Sequence, residues 1–352
     1  MRVVTFQQLL WGTARMLGLT DPGGQFNGNS GTLSNERASD LAEYLTNRAG
    51  EGWGWEWWPE WTLTEQREYR ATYVAATAYT ATQEVWHPGS LKYYQALQAT
   101  TGNAPATWNG STWVTADAYW AECAASYGGS DWLASTAYAV NTTTGRVRNP
   151  ADNLFYQCHT AHTSGATFDS TKFGLLTPFN RYIAFEQTGE SKIWRCEGIY
   201  RRDPRVFPRN PGRCAKGESD LGVQAGADAP SQPWIRFQKP PPEFSAVPWA
   251  AGTFTLGDVR YYATTKDCYK VIVSSTTDAP TVTASWERQQ LPEVLAPFVK
   301  RAAKADALGD QKQTARMAKE LDLAYGDLAD ARDQMFDGQG NHSTALAGAW
   351  GR

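Results

Sequence analysis

Apolar residues recur at helical spacing near both ends of the chain and lose that spacing in between. Over residues 5–18, Phe6, Leu9, Leu10, Ala14 and Leu17 fall on one helical face. The stretch DPGGQFNGNSG (21–31) is a loop by composition. Ser34 is positioned to cap a second helix, with Glu36 in a first turn where the helix dipole favours a carboxylate. Its apolar stripe is Ala38, Leu41, Ala42, Leu45 and Ala49, and Pro59 ends any helix there. Helical spacing returns over 291–308, where Pro297 is expected to bend or divide the helix. Asp310 is expected to cap a last helix over 311–336, with Leu321, Tyr325, Leu328, Ala331 and Met335 on one side. Asp322, Asp327, Asp330 and Asp333 lie on its other faces, and Gly338 stops it. Residues 338–352 read as a flexible tail.

Between these ends, from about residue 73, Thr, Ala, Tyr and Val alternate with Gly, Asn and Pro breaks, the pattern of short strands and turns. Three segments share one template. The first opens at Tyr73, passes Tyr79, Val85, Tyr93-Tyr94 and Thr100-Thr101, and closes at Ala104-Pro105 and Trp108. The second opens at Trp132, passes Tyr138, Val147 and Tyr156-Gln-Cys158, and closes at Phe168. The third opens at Trp249, passes Phe254, Val259, Cys268-Tyr269 and Thr276-Thr277, and closes at Ala279-Pro280 and Trp286. In each, an aromatic opens a turn, a Val starts a strand, and a Tyr on the next strand faces back across the pair. Cross-strand aromatics hold so small a sheet together where aliphatics are few.

Composition sharpens this reading. The chain has 352 residues, 16 Trp and 16 Tyr, yet a mean hydropathy of −0.52, so its apolar surface is concentrated in large rings. Trp53, Trp55, Trp57, Trp58 and Trp61 crowd into ten residues. They read as a helix-packing corner, or as a flat aromatic surface against a neighbouring subunit. The net charge of −3 gives no global field toward nucleic acid. The most basic stretch carries Arg195, Arg201, Arg202, Arg205, Arg209 and Arg213, partly offset by Glu190, Glu197 and Asp203. It reads as a solvated or interface loop, with DNA contact as the sharper alternative for Arg201, Arg202, Arg205 and Arg209. Residues 181–210 suggest a strand pair before that basic turn, and 232–245 a strand followed by a polyproline piece.

The candidate chemistry is sparse. Five scattered cysteines with no CxxC spacing point to reduced thiols in a cytosolic setting. Cys158-His159-x-x-His162 puts Cys and His in reach of one face, without an evident third or fourth ligand. No dinucleotide, Walker, HExxH or nucleophile-elbow motif occurs. The expectation is a non-enzyme with no cofactor or metal. The N-terminus lacks signal-peptide character and no apolar run is long enough to span a membrane, so no membrane association is expected.

The three repeats resemble small chitin-binding-type carbohydrate-binding modules, through the aromatic-x-A-x-T-x-Y opening, the Val strand, the Tyr-x-Cys strand and the T-x-x-x-A-P close. That resemblance covers about 115 residues and implies exposed aromatics that stack on sugar rings; Trp132 and Trp249 are the candidates. Residues 33–70, YRRDPR (200–205), the WIRFQKPPPEF piece and 315–335 resemble head-to-tail connector (adaptor) proteins of tailed bacteriophages. This second resemblance implies a homo-oligomeric, twelvefold ring below the portal, with genomic DNA passing through and a tail or second connector protein beneath. It also implies a C-terminal tail that reaches the portal, here Leu346, Trp350 and Arg352. The site would be the head–tail junction of a virion, assembled in a bacterial host's cytoplasm. The alternative function is a glycan-binding tail or adhesion protein.

The expected fold class is α+β, a helical bundle built from both chain ends with small antiparallel β modules inserted between them. Its parts are 1–72 and 287–337 as helical body, 73–180 as two β repeats, 181–248 as a β segment with a basic loop, 249–286 as the third repeat and 338–352 as tail. A long excursion returning to one domain is acceptable because loop-closure entropy grows slowly with length.

Overall fold

The structure is a computed structural model that describes residues 2–18, 36–56, 58, 62–141, 144–186 and 191–337. Ser34, the 21–31 loop, Trp57, Pro59, Trp61 and the 338–352 tail with Leu346, Trp350 and Arg352 lie outside the described residues. The chain divides into two compact units, one joining Met1–Trp61 to Pro240–Arg352, the other Thr62–Lys239.

The expected helical bundle is corrected by the fold. Among the described residues, four helices, α1 (Phe6–Met16), α2 (Glu36–Trp55), α3 (Ala296–Asp310) and α4 (Thr314–Asp337), stand beside 27 short strands in ten small sheets. The chain is mixed α+β with small antiparallel sheets dominating. The reason lies in side-chain volume. The inward stripes are Ala-rich (Ala38, Ala42 and Ala49; Ala302 and Ala303; Ala324 and Ala331), and these helices do not fill a core by themselves. Sheet and connecting residues complete it: Phe244, Tyr261, Cys268 and Leu291 belong to the same buried cluster as Leu45, Phe298 and Leu328. Phe6 stacks on Phe244 at 5.4 Å and meets Tyr261 edge-on at 5.8 Å.

Helix ends follow the same logic. Thr5 and Gln8 form a capping box on α1, Thr5 Oγ1 accepting from Gln8 N at 3.2 Å and Gln8 Oε1 from Thr5 N at 2.9 Å. The buried Asp267 carboxylate accepts the Phe6 N–H at 2.9 Å, so a strand residue completes that cap. Pro297 neither bends nor divides a helix. It occupies the first turn of α3, where its missing N–H costs nothing. Asp310 ends α3 instead of capping α4, and accepts a hydrogen bond from Tyr44. Polar seams fix the helices' register: Arg48 grips Asp306 bidentately (2.8 and 2.5 Å), Arg301 pairs with Asp327 (2.7 Å) and Lys304 with Glu320 (2.7 Å).

The sequence repeat is a repeat of register. Each module has a three-stranded antiparallel meander: Glu84–His87, Lys92–Ala96 and Trp120–Glu122; Arg146–Arg148, Phe155–Cys158 and Phe173–Leu176; Val259–Tyr262, Asp267–Val271 and Trp286–Gln289. Each adds a two-residue ladder: Tyr79 opposite Thr100, Tyr138 opposite His162, Phe254 opposite Thr276. Each opening segment also makes a parallel bridge at one position, Thr72 to Trp86, Asp131 to Arg148 and Pro248 to Tyr261. Even the hairpin turns agree, because Leu91, Asn153 and Lys266, all with positive φ, stand two residues before the register-equivalent Tyr93, Phe155 and Cys268.

These registers correct three sequence assignments. Val85 opposes Tyr94 and Val147 opposes Tyr156, but Arg260, not Val259, opposes Tyr269. The Arg260 guanidinium lies 5.4 Å from the Phe254 ring centroid, a cation–π contact on a residue of the module's own core. Trp108 is not the partner of Trp286 in the template: Trp120 opposes Ala96 as Trp286 opposes Val271. The indoles of Trp120 and Trp286 donate to the carbonyls of Asn103 (2.9 Å) and Asp278 (3.0 Å). Phe173, not Phe168, holds that place in the second module.

In the second unit the first two modules share a small core of Leu97, Ala121, Tyr127 and Leu176, which joins them. Residues 182–184 and 195–200 do not pair with each other as expected; they enter two different sheets. The sheets containing Arg195–Tyr200 and Gly222–Ala225 close on a core of Ile183, Ile199, Val223, Ile235 and Phe237, on which Trp86 and Tyr93 also pack.

Candidate functional site: an aromatic hairpin on the first module

The first module departs from its siblings at one place. The turn before the core tryptophan has the same geometry in the first and third modules, with Trp120 N donating to Ala116 O and Trp286 N to Val282 O, both at 3.0 Å. Ten residues separate Pro105 from Ala116, against one between Pro280 and Val282, so the first module carries nine more. They form a β-hairpin, Ala106–Trp108 paired with Trp113–Thr115. Asn109 builds its turn: its carboxamide oxygen accepts from Ser111 N (3.0 Å) and Thr112 N (2.8 Å).

Trp108 and Trp113 are direct cross-strand partners, 5.8 Å apart and tilted by 59°, with relative exposures of 56% and 40%. Val114 beside them is also exposed. His87 meets Trp113 edge-on at 5.1 Å. Gly89 makes room for the indole: a Cβ there would stand 2.5 Å from the Trp113 ring. The His87 Nδ1 accepts from Ser90 N at 3.2 Å, which leaves Nε2 as the protonated nitrogen of the neutral ring. Burial lowers the His87 pKa below the ordinary imidazole value. No charged residue occurs between Lys92 and Asp117. The hairpin therefore offers two aromatic faces, hydroxyls and amides, without charge of its own, beside the His87 imidazole; Lys92, opposite His87, is paired with Glu122 at 2.7 Å. That chemistry suits a neutral ligand with C–H faces and hydroxyl edges.

The stacking candidates read from the sequence are less exposed. Trp132 is half-buried and meets Phe168 edge-on at 5.9 Å; Trp249 is half-buried and meets Tyr262 edge-on at 5.6 Å. Both pack on their module cores. The Tyr73 hydroxyl and the Trp132 and Trp249 indole nitrogens, at one position of the template, are buried without a hydrogen-bond partner among the described residues. Of the Trp corner, Trp53 and Trp58 are buried and the Trp58 indole donates to Gly52 O at 3.0 Å. Trp55 stays 48% exposed against Tyr325. Arg201, Arg202, Arg205 and Arg209 all lie exposed on one loop.

Cys158 Sγ stands 3.8 Å from His162 Nδ1. Among the described residues no group of three or more His, Cys, Asp or Glu could hold a metal ion, and no helix is long and apolar enough to cross a membrane. A cleft of about 480 Å³ in the first unit is lined by Arg2, Glu293, Asp327, Asp330 and Met335, without a nucleophile–base pair. Comparison with protein-family models, curated proteins and solved structures gives no match. A longer spacing between Pro105 and the module's closing turn is the sequence signal that marks the Trp108–Trp113 hairpin; taking Trp108 as the closing aromatic conceals it.

Proposed function

We propose that this chain is a non-catalytic structural subunit of a tailed bacteriophage, an adaptor whose copies form a ring between portal and tail through which the genome passes. The observation supporting this reading is that both chain ends contribute to one core: α2, within the adaptor-like stretch 33–70, and α4, which contains the adaptor-like stretch 315–335, share it with α1 and α3. The polar seams Arg48–Asp306 and Arg301–Asp327 hold α2, α3 and α4 in fixed register, as a subunit that transmits load requires. In this reading Leu346, Trp350 and Arg352 contact the portal, and copies close by heterologous contacts. Co-expression with the portal protein of the same phage tests it. A complex of defined mass that weakens on deletion of 338–352 is expected; a chain that never co-purifies with portal overturns it.

A second reading, a glycan-binding tail or adhesion protein, is favoured by the exposed Trp108–Trp113 pair on an uncharged hairpin. Titration of neutral oligosaccharides followed by tryptophan fluorescence tests it. Saturable quenching lost in Trp108→Ala and Trp113→Ala is expected; quenching that persists in both variants removes the reading.

A further inference from the structure

The segment 200–214, a loop closed by the strand pairing of Tyr200 with Arg213, carries five arginines and one aspartate, a local charge of +4 in a chain whose net charge is −3. Pro204, Pro208 and Pro211 restrict its backbone. Turn hydrogen bonds set its shape: Phe207 N to Asp203 O (2.9 Å), Asn210 N to Phe207 O (3.2 Å), Arg201 N to Gly212 O (2.9 Å) and Arg202 N to Pro211 O (3.1 Å). The loop is thus ordered before any partner arrives, which lowers the entropy lost on binding.

Its counter-charges are already engaged. Asp203 is occupied by Arg205, through the backbone N–H at 2.9 Å and the guanidinium at 2.8 Å. Asp228 pairs with Arg201 at 3.3 Å. Arg213 donates to the Glu197 carbonyl oxygen at 3.0 Å, and the Glu197 carboxylate takes Arg236 at 2.8 Å. Arg202 and Arg209 are exposed and paired with no carboxylate among the described residues. Arg202 lies 5.4 Å from the Phe207 ring centroid, and Arg205 lies 5.3 Å from that of Trp234. Between the arginines, Val206 and Phe207 are exposed at 66% and 45%.

We propose that this loop is a nucleic-acid contact, with the guanidinium groups of Arg202, Arg209 and Arg213 on backbone phosphates and Phe207 against a sugar or base. Unneutralised guanidinium groups with an exposed ring between them match a polyanion that also carries flat apolar faces. The inference deepens the adaptor reading, which supplies a transiting genome, and it is tested without portal, so either can fail alone.

The test is fluorescence anisotropy of the full chain with labelled random-sequence duplex and single-stranded DNA, between about 50 and 200 mM salt. Three phosphate contacts predict a log–log salt slope near −2.7 on duplex, about −0.9 for each. Arg202→Gln with Arg209→Gln is expected to bring the slope to about −0.9, while the matching Lys pair keeps it. Phe207→Ala is expected to weaken single-strand binding more than duplex binding. Circular dichroism confirms that each variant is folded. Absence of salt-dependent binding, or an unchanged slope in the Gln pair, overturns the proposal. So does a Gln pair that alters the particle mass and leaves DNA binding untouched, which assigns the loop to a protein interface.

Discussion

The first and third β modules follow one register and end in different surroundings. In the third, the meander faces helices: Tyr261 and Cys268 enter the core with Phe6 and Phe298, and Asp267 caps α1. In the first, the equivalent positions Trp86 and Tyr93 pack on the sheets of the second unit, and the extra hairpin carries exposed indoles. The pair teaches that the template specifies a small aromatic core and leaves its outer faces free to vary. One copy is recruited as a structural wall, and another carries an exposed pair of indoles.

The largest effects are expected at the core tryptophans. Trp120→Ala and Trp286→Ala each remove a fully buried indole and its hydrogen bond, and each is expected to cost about 3–5 kcal/mol in urea unfolding. Trp108→Ala, exposed on the hairpin, is expected to stay within about 0.5 kcal/mol. Equal costs at Trp108 and Trp120 would break the register assignment. Next, Asp267→Ala leaves the Phe6 N–H buried without its acceptor and deprives Arg288 of its ion pair, for about 2 kcal/mol. Asp267→Asn, which retains an acceptor, is expected to cost less in the same measurement.

Acid separates the modules. The turn hydrogen bonds hold Asp169 and Asp278, chiefly through the hydroxyls of Thr171 and Ser285, and Asp152 and Asp258, chiefly through the N–H groups of Leu154 and Thr255, below the usual carboxylate range. A pKa lowered on folding gives stability that is present above the unfolded value, near 3.9, and is lost as pH falls through the folded value. Asp117 in the first module runs the other way: burial raises it, so its contribution is complete below the unfolded pKa and is lost as pH rises through the folded one. Amide exchange across that range is expected to show the second and third modules' turns loosening with acid while the turn at Asp117 tightens. Uniform loosening contradicts this. The smallest effect is at the hairpin turns, where Leu91 and Lys266 hold positive φ that Asn153 adopts at less cost. Leu91→Asn and Lys266→Asn are each expected to stabilise by up to about 1 kcal/mol; a loss would mean that their side chains matter more than the strain.

The helices and the repeat were legible because periodicity and recurrence are local. The stripe Ala38, Leu41, Ala42, Leu45 and Ala49 is the buried face of α2, and the three aromatic openings mark three modules. What the pattern hid was partnership. Nothing in the spacing of Asp267 or Tyr261 says that they meet α1, because those contacts span more than 250 residues. Register was hidden too: a one-residue offset puts Arg260 where two modules have Val, and the inserted hairpin places two tryptophans before the real core one. Burial was hidden as well: Trp132 and Trp249, the most recognisable aromatics, are half-buried and pack on their module cores, while the more exposed pair is Trp108 and Trp113.

The adaptor reading stands or falls on assembly. Mass measurement of the purified chain, alone and mixed with portal protein from the same phage, tests it most directly. The account predicts one portal-bound ring of defined mass. A monomer that ignores portal and binds neutral polysaccharide through Trp108 and Trp113 contradicts it.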